Sequence, residues 1–162
     1  MKKLLIIPLT LWSMSLLAQS SEEKQVMQVV ERVFEAMKSS DSTLLKACFT
    51  ADAATFTLFT DKEGKSQIRK GSLQRFIDAV GQPKEDVWNE PIWNEKVEID
   101  GPLAAVWVDY AFYLNNQFLH CGVDAFQLVK TVEGWKIFHL ADTRRKTDCV
   151  VPDEVRESIG AK

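Results

Sequence analysis

Metal-binding and redox spacings are missing from this sequence. Its 162 residues hold 2 histidines and 3 cysteines. No Cys-x-x-Cys occurs and no grouping has the spacing of a zinc site, so no metal set and no cofactor are expected. Long basic stretches are missing too. Acidic side chains outnumber basic ones, 23 to 20, which argues against nucleic acid and anionic membranes as partners. The one long apolar run, Leu4 to Leu17, is broken by Pro8 and is too short for a comfortable membrane span.

That run does fit a secretory signal peptide. Lys2 and Lys3 precede it, and Ala18 stands before Gln19 as a small residue at the cleavage site. Residues 1–18 are therefore expected to be a leader, 19–151 one folded domain and 152–162 a polar tail. No cysteine lies near the cut, which excludes a lipid anchor there. Losing Lys2 and Lys3 takes the net charge from −3 to −5. The expected location is periplasmic or secreted, with no membrane attachment after cleavage. In such an oxidising compartment Cys48, Cys121 and Cys149 give one disulfide and one free or buried thiol, with the pairing open.

The elements follow from periodicity. Ser20 and Glu23 make a capping box for a first helix, along which Val26, Val29, Val30, Val33, Phe34 and Met37 recur on one face. Asp41 caps a short second helix through Leu44, Leu45 and Cys48. Residues 53–60 form a strand, and residues 67–70 pair back onto it after the turn at 61–64. Ser72 caps a third helix, with Leu73, Phe76, Ile77 and Val80 inward and Gly81 as its stop. Residues 82–91 read as a loop, and the echo of Trp88-Asn89-Glu90 in Trp93-Asn94-Glu95 as an accident. Four strands follow, over 92–100, 101–114, 117–130 and 135–143. This order predicts an α+β domain with helices gathered on one side of an antiparallel sheet.

Turn lengths set the expected register. A two-residue turn at Asn115-Asn116 pairs Leu114 with Gln117, hence Ala111 with His120 and Trp107 with Asp124. A four-residue turn over 131–134 pairs Lys130 with Trp135, hence Phe126 with His139 and Asp124 with Ala141. One face then gathers Trp107, Asp109, Ala111, Tyr113, Phe118, His120, Gly122, Asp124, Phe126, Trp135, Ile137, His139 and Thr143. The other carries Val106, Val108, Tyr110, Phe112, Leu119, Cys121, Val123, Ala125, Val129, Phe138 and Leu140. Neither face is made for water, so helices are expected over one and a second subunit over the other. Asp109 falls diagonal to His120, and Asp124 to His139, at about 7–8 Å. Such pairs orient a polar ligand or move protons, although an imidazole merely held by its carboxylate is the commoner outcome.

Several stretches together resemble the nuclear transport factor 2-like, or SnoaL-like, superfamily. They are Asp41-Ser42-Thr43-Leu44-Leu45, then Cys48-Phe49-Thr50-Ala51-Asp52-Ala53, then Ile99-Asp100-Gly101-Pro102-Leu103-Ala104, then Gly134-Trp135-Lys136-Ile137 leading to His139. The resemblance implies a cone-shaped, cystatin-like domain in which a curved antiparallel sheet wraps around N-terminal helices and encloses a pocket. The ending, His120-Cys121-Gly122-Val123-Asp124-Ala125-Phe126 and Ala141-Asp142-Thr143-Arg144-Arg145-Lys146, is similar to a secreted bacterial subgroup, with related domains labelled lumazine-binding-like. Ketosteroid isomerase shares the fold. Its general acid would fall near Asp124, but its general-base aspartate would fall near Thr57, which cannot take a proton in that role.

Three functions are then open. The first is a pocket protein that binds a partly aromatic small molecule. Trp107, Tyr113, Phe118 and Phe126 would stack on it, and Asp109, Thr143 and the Asp–His pairs would orient it. The second is an acid–base lyase, isomerase or cyclase with His120, Asp124 and His139 as catalytic groups. The third is a module that dimerises through the apolar face of Val106, Val108, Tyr110 and Phe112. That stripe packs equally well on the chain's own helices. Arg144, Arg145 and Lys146 could clamp an anion at the rim, or be a solvated strand end.

Overall fold

The structure, a computed structural model, describes residues 11–160 except Lys84, and of residues 11–20 the backbone alone. The first ten residues of the expected leader and the last two of the tail lie outside the described residues. Four helices, α1 (Leu11–Ser39), α2 (Ser42–Cys48), α3 (Leu73–Gly81) and α4 (Asp153–Ser158), accompany seven strands. These are β1 (Phe49–Thr60), β2 (Ser66–Lys70), β3 (Trp88–Asn89), β4 (Ile92–Asp100), β5 (Leu103–Leu114), β6 (Gln117–Thr131) and β7 (Gly134–Thr143). They form one sheet in the order β2-β1-β7-β6-β5, with β3 and β4 both paired to the far edge of β5. All neighbours are antiparallel except β1 and β7, which run parallel.

Two caps act as their chemistry predicts. The Asp41 carboxylate accepts from Leu44 N at 2.8 Å, and the Ser72 hydroxyl from Arg75 N at 3.3 Å; each is worth about 1 kcal/mol. The first helix does not begin at Ser20, because α1 runs on through it. Residues inside a continuing helix have carbonyl partners four back, so no orphan N–H remains there. The apolar face of α1 (Val26, Val29, Val30, Val33) packs on Val106, Val108, Phe126, Leu128 and Ile137 of the sheet. The stripe of β5 offered to a second subunit is therefore covered by the chain's own helices.

Both hairpin turns form as expected, with Leu114 opposite Gln117 and Lys130 opposite Trp135. Beyond them each ladder slips by one residue. Tyr113 pairs with Phe118 but Phe112 with His120, so Leu119 is an extra residue in β6. Leu128 pairs with Ile137 but Gln127 with His139, so Phe138 is an extra residue in β7. A bulge reverses which face the rest of a strand presents. As a result His120, Asp124 and Phe126 share the helix-covered face with Val106, Val108, Tyr110 and Phe112. Trp107, Asp109, Ala111, Tyr113, Phe118, His139 and Thr143 go to the opposite, outer face.

The outer face has a cover of its own. Cys121 on β6 is bonded to Cys149, and the segment after β7 returns across it. Val151, Val155 and Ile159 pack there with Ala111, Tyr113, Cys121 and Trp93. The tail thus carries α4 and a small second core, while Cys48 keeps its thiol in the main core. The bridge closes a segment of 28 residues, so its reduction is expected to cost about 3–4 kcal/mol. Urea unfolding with and without a non-thiol reductant checks this. A midpoint that does not move would show that packing alone holds the strap.

Candidate functional site

Between α1, α3 and the covered face of the sheet lies a cavity of about 200 Å³. Val33, Phe34 and Met37 from α1, Phe76 from α3, and Phe126 and Leu140 from the sheet give it apolar walls. Its polar lining includes the Thr55 and Ser72 hydroxyls and, at one end, Thr57, Glu90, Tyr110, His120, Asp124, Asp142 and Arg144. Paired strands bring these together: Tyr110 stands opposite Gly122, and Asp124 opposite Asp142.

Most of the polar groups are matched within the chain. The Asp142 carboxylate accepts from the Thr57 hydroxyl at 2.8 Å and from Arg144 Nε at 2.6 Å. The Tyr110 hydroxyl donates to the Thr143 carbonyl at 2.9 Å and lies 3.2 Å from His120 Nδ1. With that proton spent on Thr143, Nδ1 must carry the hydrogen toward Tyr110, and Nε2 is left as the acceptor. The ring of His120 also stacks on Phe112, at 5.1 Å between centroids.

Electrostatics push these groups away from their ordinary behaviour. Burial, with help from the Arg144 and Lys146 charges, holds His120 down to about 4, so it is neutral at physiological pH. Asp124 is only 4% exposed. Burial first, then the neighbouring Glu90 and Asp142 carboxylates, raise its pKa well above the usual carboxylate range. Glu90 is pushed up to about 8, chiefly by burial and further by Asp142, with Arg144 opposing. Burial and the same carboxylates raise Tyr110, which stays a phenol.

Of the site residues expected from sequence, three line this cavity: His120, Asp124 and Phe126. The other six lie elsewhere. Trp107 is 49% exposed, and Asp109 accepts from the Asn94 side-chain amide at 2.8 Å. Tyr113 is buried under the C-terminal strap with Phe118 against its edge. His139 rests on the Phe56 ring, centroids 5.4 Å apart. Thr143 uses its hydroxyl to accept from Val123 N at 3.0 Å, and reaches the site through its carbonyl alone. Neither Asp–His diagonal exists, because each bulge separates the intended partners.

Glu90, Tyr110 and Asp142 escaped the sequence reading as cavity groups, whereas Arg144 was foreseen only as one of three cations at the rim. Glu90 was hidden in a segment that reads as a loop. Its positioning comes from β3, where Trp88 and Asn89 pair with Leu114 and Tyr113. The Trp-Asn-Glu echo was the available signal, since its first copy supplies both this short strand and the acid. Among the described residues, no group of three or more His, Cys, Asp or Glu side chains is arranged to hold a metal ion. No helix among them is long and apolar enough to cross a membrane.

Residues 21–140 match the family described as Putative lumazine-binding. The chain belongs to that family. Its fold is shared by solved structures of nuclear transport factor 2-like proteins. One is a protein of unknown function from Shewanella baltica, with TM-score 0.60 and 19% identity over 79% of this chain and 97% of that one. Another is a putative dehydratase from Streptomyces avermitilis, with TM-score 0.61 and 15% identity over 80% and 99%. A third, from Novosphingobium aromaticivorans, has a cystatin-like fold, with TM-score 0.64 and 12% identity over 93% and 97%. No curated protein matches the chain. The α+β, cone-like architecture expected of the superfamily is the one observed. The family description fits a ligand-pocket fold, and a cavity is present behind β5–β7.

Proposed function

We propose that the protein is exported and binds a small, planar, polar heterocycle in the cavity between α1, α3 and the sheet. The observation that carries this is the division of the cavity, apolar along Phe34, Phe126 and Leu140 and polar at the end made by Glu90, Asp124 and Arg144. Flat aromatic bodies suit the first part, and ring nitrogens and their polar substituents suit the second. The family description supports a bicyclic ring of the lumazine type. The Lys2-Lys3 leader and the Cys121–Cys149 bridge support export to an oxidising compartment. Calorimetric titration with a panel of bicyclic heteroaromatics is expected to find micromolar binding. Phe126→Trp, which narrows the cavity, is expected to weaken that binding by about tenfold or more, or about 1.4 kcal/mol. A panel that leaves the protein silent at millimolar concentration would overturn the assignment.

A second reading, acid–base catalysis, rests on the chain of His120, Tyr110 and the Thr143 carbonyl. That chain fixes a neutral imidazole with Nε2 free as a base, in the same cavity as an Asp124 carboxyl that keeps its proton. The putative dehydratase among the structural relatives is in keeping with it. Deuterium exchange into the acidic C–H positions of bound ligands, followed by NMR, separates a catalyst from a carrier.

A further inference from the structure

The polar end of the cavity is unevenly furnished. Three carboxyl groups, Glu90, Asp124 and Asp142, face one guanidinium, Arg144. Asp142 has both oxygens engaged, by Thr57 and Arg144. The Tyr110 hydroxyl is engaged by Thr143, and His120 Nδ1 by Tyr110. Asp124 and Glu90 remain, and among the described residues neither carboxyl has a hydrogen-bond or ion-pair partner. Asp124 is nonetheless 4% exposed and lines the cavity. A carboxyl buried without donors costs free energy that the same carboxyl in water would not. What this end of the cavity lacks is positive charge to match its carboxyls.

We infer that the ligand is a base, a planar amidine or amino-substituted azine whose N–C–N edge is taken by the Asp124 carboxyl, with the Glu90 carboxyl as a second acceptor in the same cavity. The inference rests on the pocket reading above and narrows it. A ring nitrogen beside an exocyclic amino group presents two parallel N–H donors once the ring is protonated, and a carboxylate accepts them bidentately. The proton balance closes within the complex. The Asp124 O–H bond breaks with its electron pair left on oxygen, an N–H bond forms on the ring nitrogen, and an amidinium–carboxylate pair results. The flat body then lies against Phe34 and Phe126. A dione of the same outline offers carbonyls where the site already holds acceptors.

Three probes of one shape test this: 2,4-diaminopteridine, lumazine and unsubstituted pteridine. Binding is followed by calorimetry and by ligand absorption, which changes on ring protonation. The diamine is expected to bind about 30-fold or more tighter than lumazine, or roughly 2 kcal/mol, and to show its protonated spectrum at a pH where the free compound is neutral. Asp124→Asn is expected to bring the two affinities within about threefold of each other, less than 1 kcal/mol apart. Glu90→Gln serves as a milder variant with the same direction, and circular dichroism confirms that each variant is folded. Lumazine bound as tightly as the diamine, or the diamine bound with its neutral spectrum, overturns the inference and leaves the pocket reading standing. Binding of none of the three overturns both.

Discussion

Gly122→Ala is expected to destabilise the protein by more than about 3 kcal/mol, beyond the usual range for overpacking a core. A Cβ at this position would stand 1.8 Å from the Thr143 carbonyl oxygen and 2.7 Å from Tyr110 Cε1. The first contact is with backbone, which cannot swing aside as a side-chain end would. Gly122 lies opposite Tyr110 in the β5–β6 ladder, and its bare Cα lets the phenol ring cross the strand to reach Thr143. The substitution therefore strikes the core and the site together, separating Tyr110 from Thr143 and freeing the His120 ring that depends on it. Adding Tyr110→Ala should not rescue stability, because the carbonyl clash remains. Gly64→Ala is the control. Its φ of +79° disfavours a side chain, but nothing lies within 4 Å, so a loss of about 1 kcal/mol is expected. Urea midpoints of the four proteins check the series, and a Gly122→Ala protein as stable as Gly64→Ala would refute the argument.

The same ladder shows why the fold was legible and the site only partly so. Helix faces, caps and hairpin turns are local: Asp41, Ser72 and the Asn115-Asn116 pair act within a few residues of themselves. The β5 alternation, with Ala104, Val106, Val108 and Tyr110 buried and Leu103, Ala105 and Trp107 exposed, is equally local. A bulge is not. Leu119 and Phe138 are ordinary β residues, and nothing in their neighbourhood announces that one is skipped by its partner strand. The skip is decided by fit across the sheet, where Tyr110 must meet Gly122 and where Leu140 and Asp142 must face inward. Sequence reasoning therefore grouped His120, Asp124 and Phe126 rightly with one another, yet joined them to the wrong half of β5. Glu90 fails for another reason. Its strand is two residues long, too short for any period, and only pairing with β5 holds it over the cavity.

Stability is expected to fall as pH rises from about 6.5 to 8, where most domains are flat. Glu90 has its pKa raised from 4.5 to about 8 in the folded protein, and Asp124 is raised as well. Over this interval the folded chain holds protons that the unfolded chain releases. The carboxyls' contribution is thus complete below about 4 and is lost as pH climbs through the folded values. His120 works in the opposite sense. Its pKa is lowered from 6.5 to about 4, so its contribution is complete above about 6.5 and is lost on acidification toward 4. The two effects oppose each other between about 4.5 and 6.5, and only the carboxyls act from there to 8. Glu90→Gln removes an ionisation while keeping the shape. It should leave stability unchanged near pH 4.5 and raise it by on the order of a few kcal/mol at pH 8. Thermal melts of the two proteins across this range decide it, and parallel curves would show that Glu90 ionises freely. A bound amidinium should flatten the wild-type curve in the same interval, because the charge that the folded site lacks would then be supplied by the ligand.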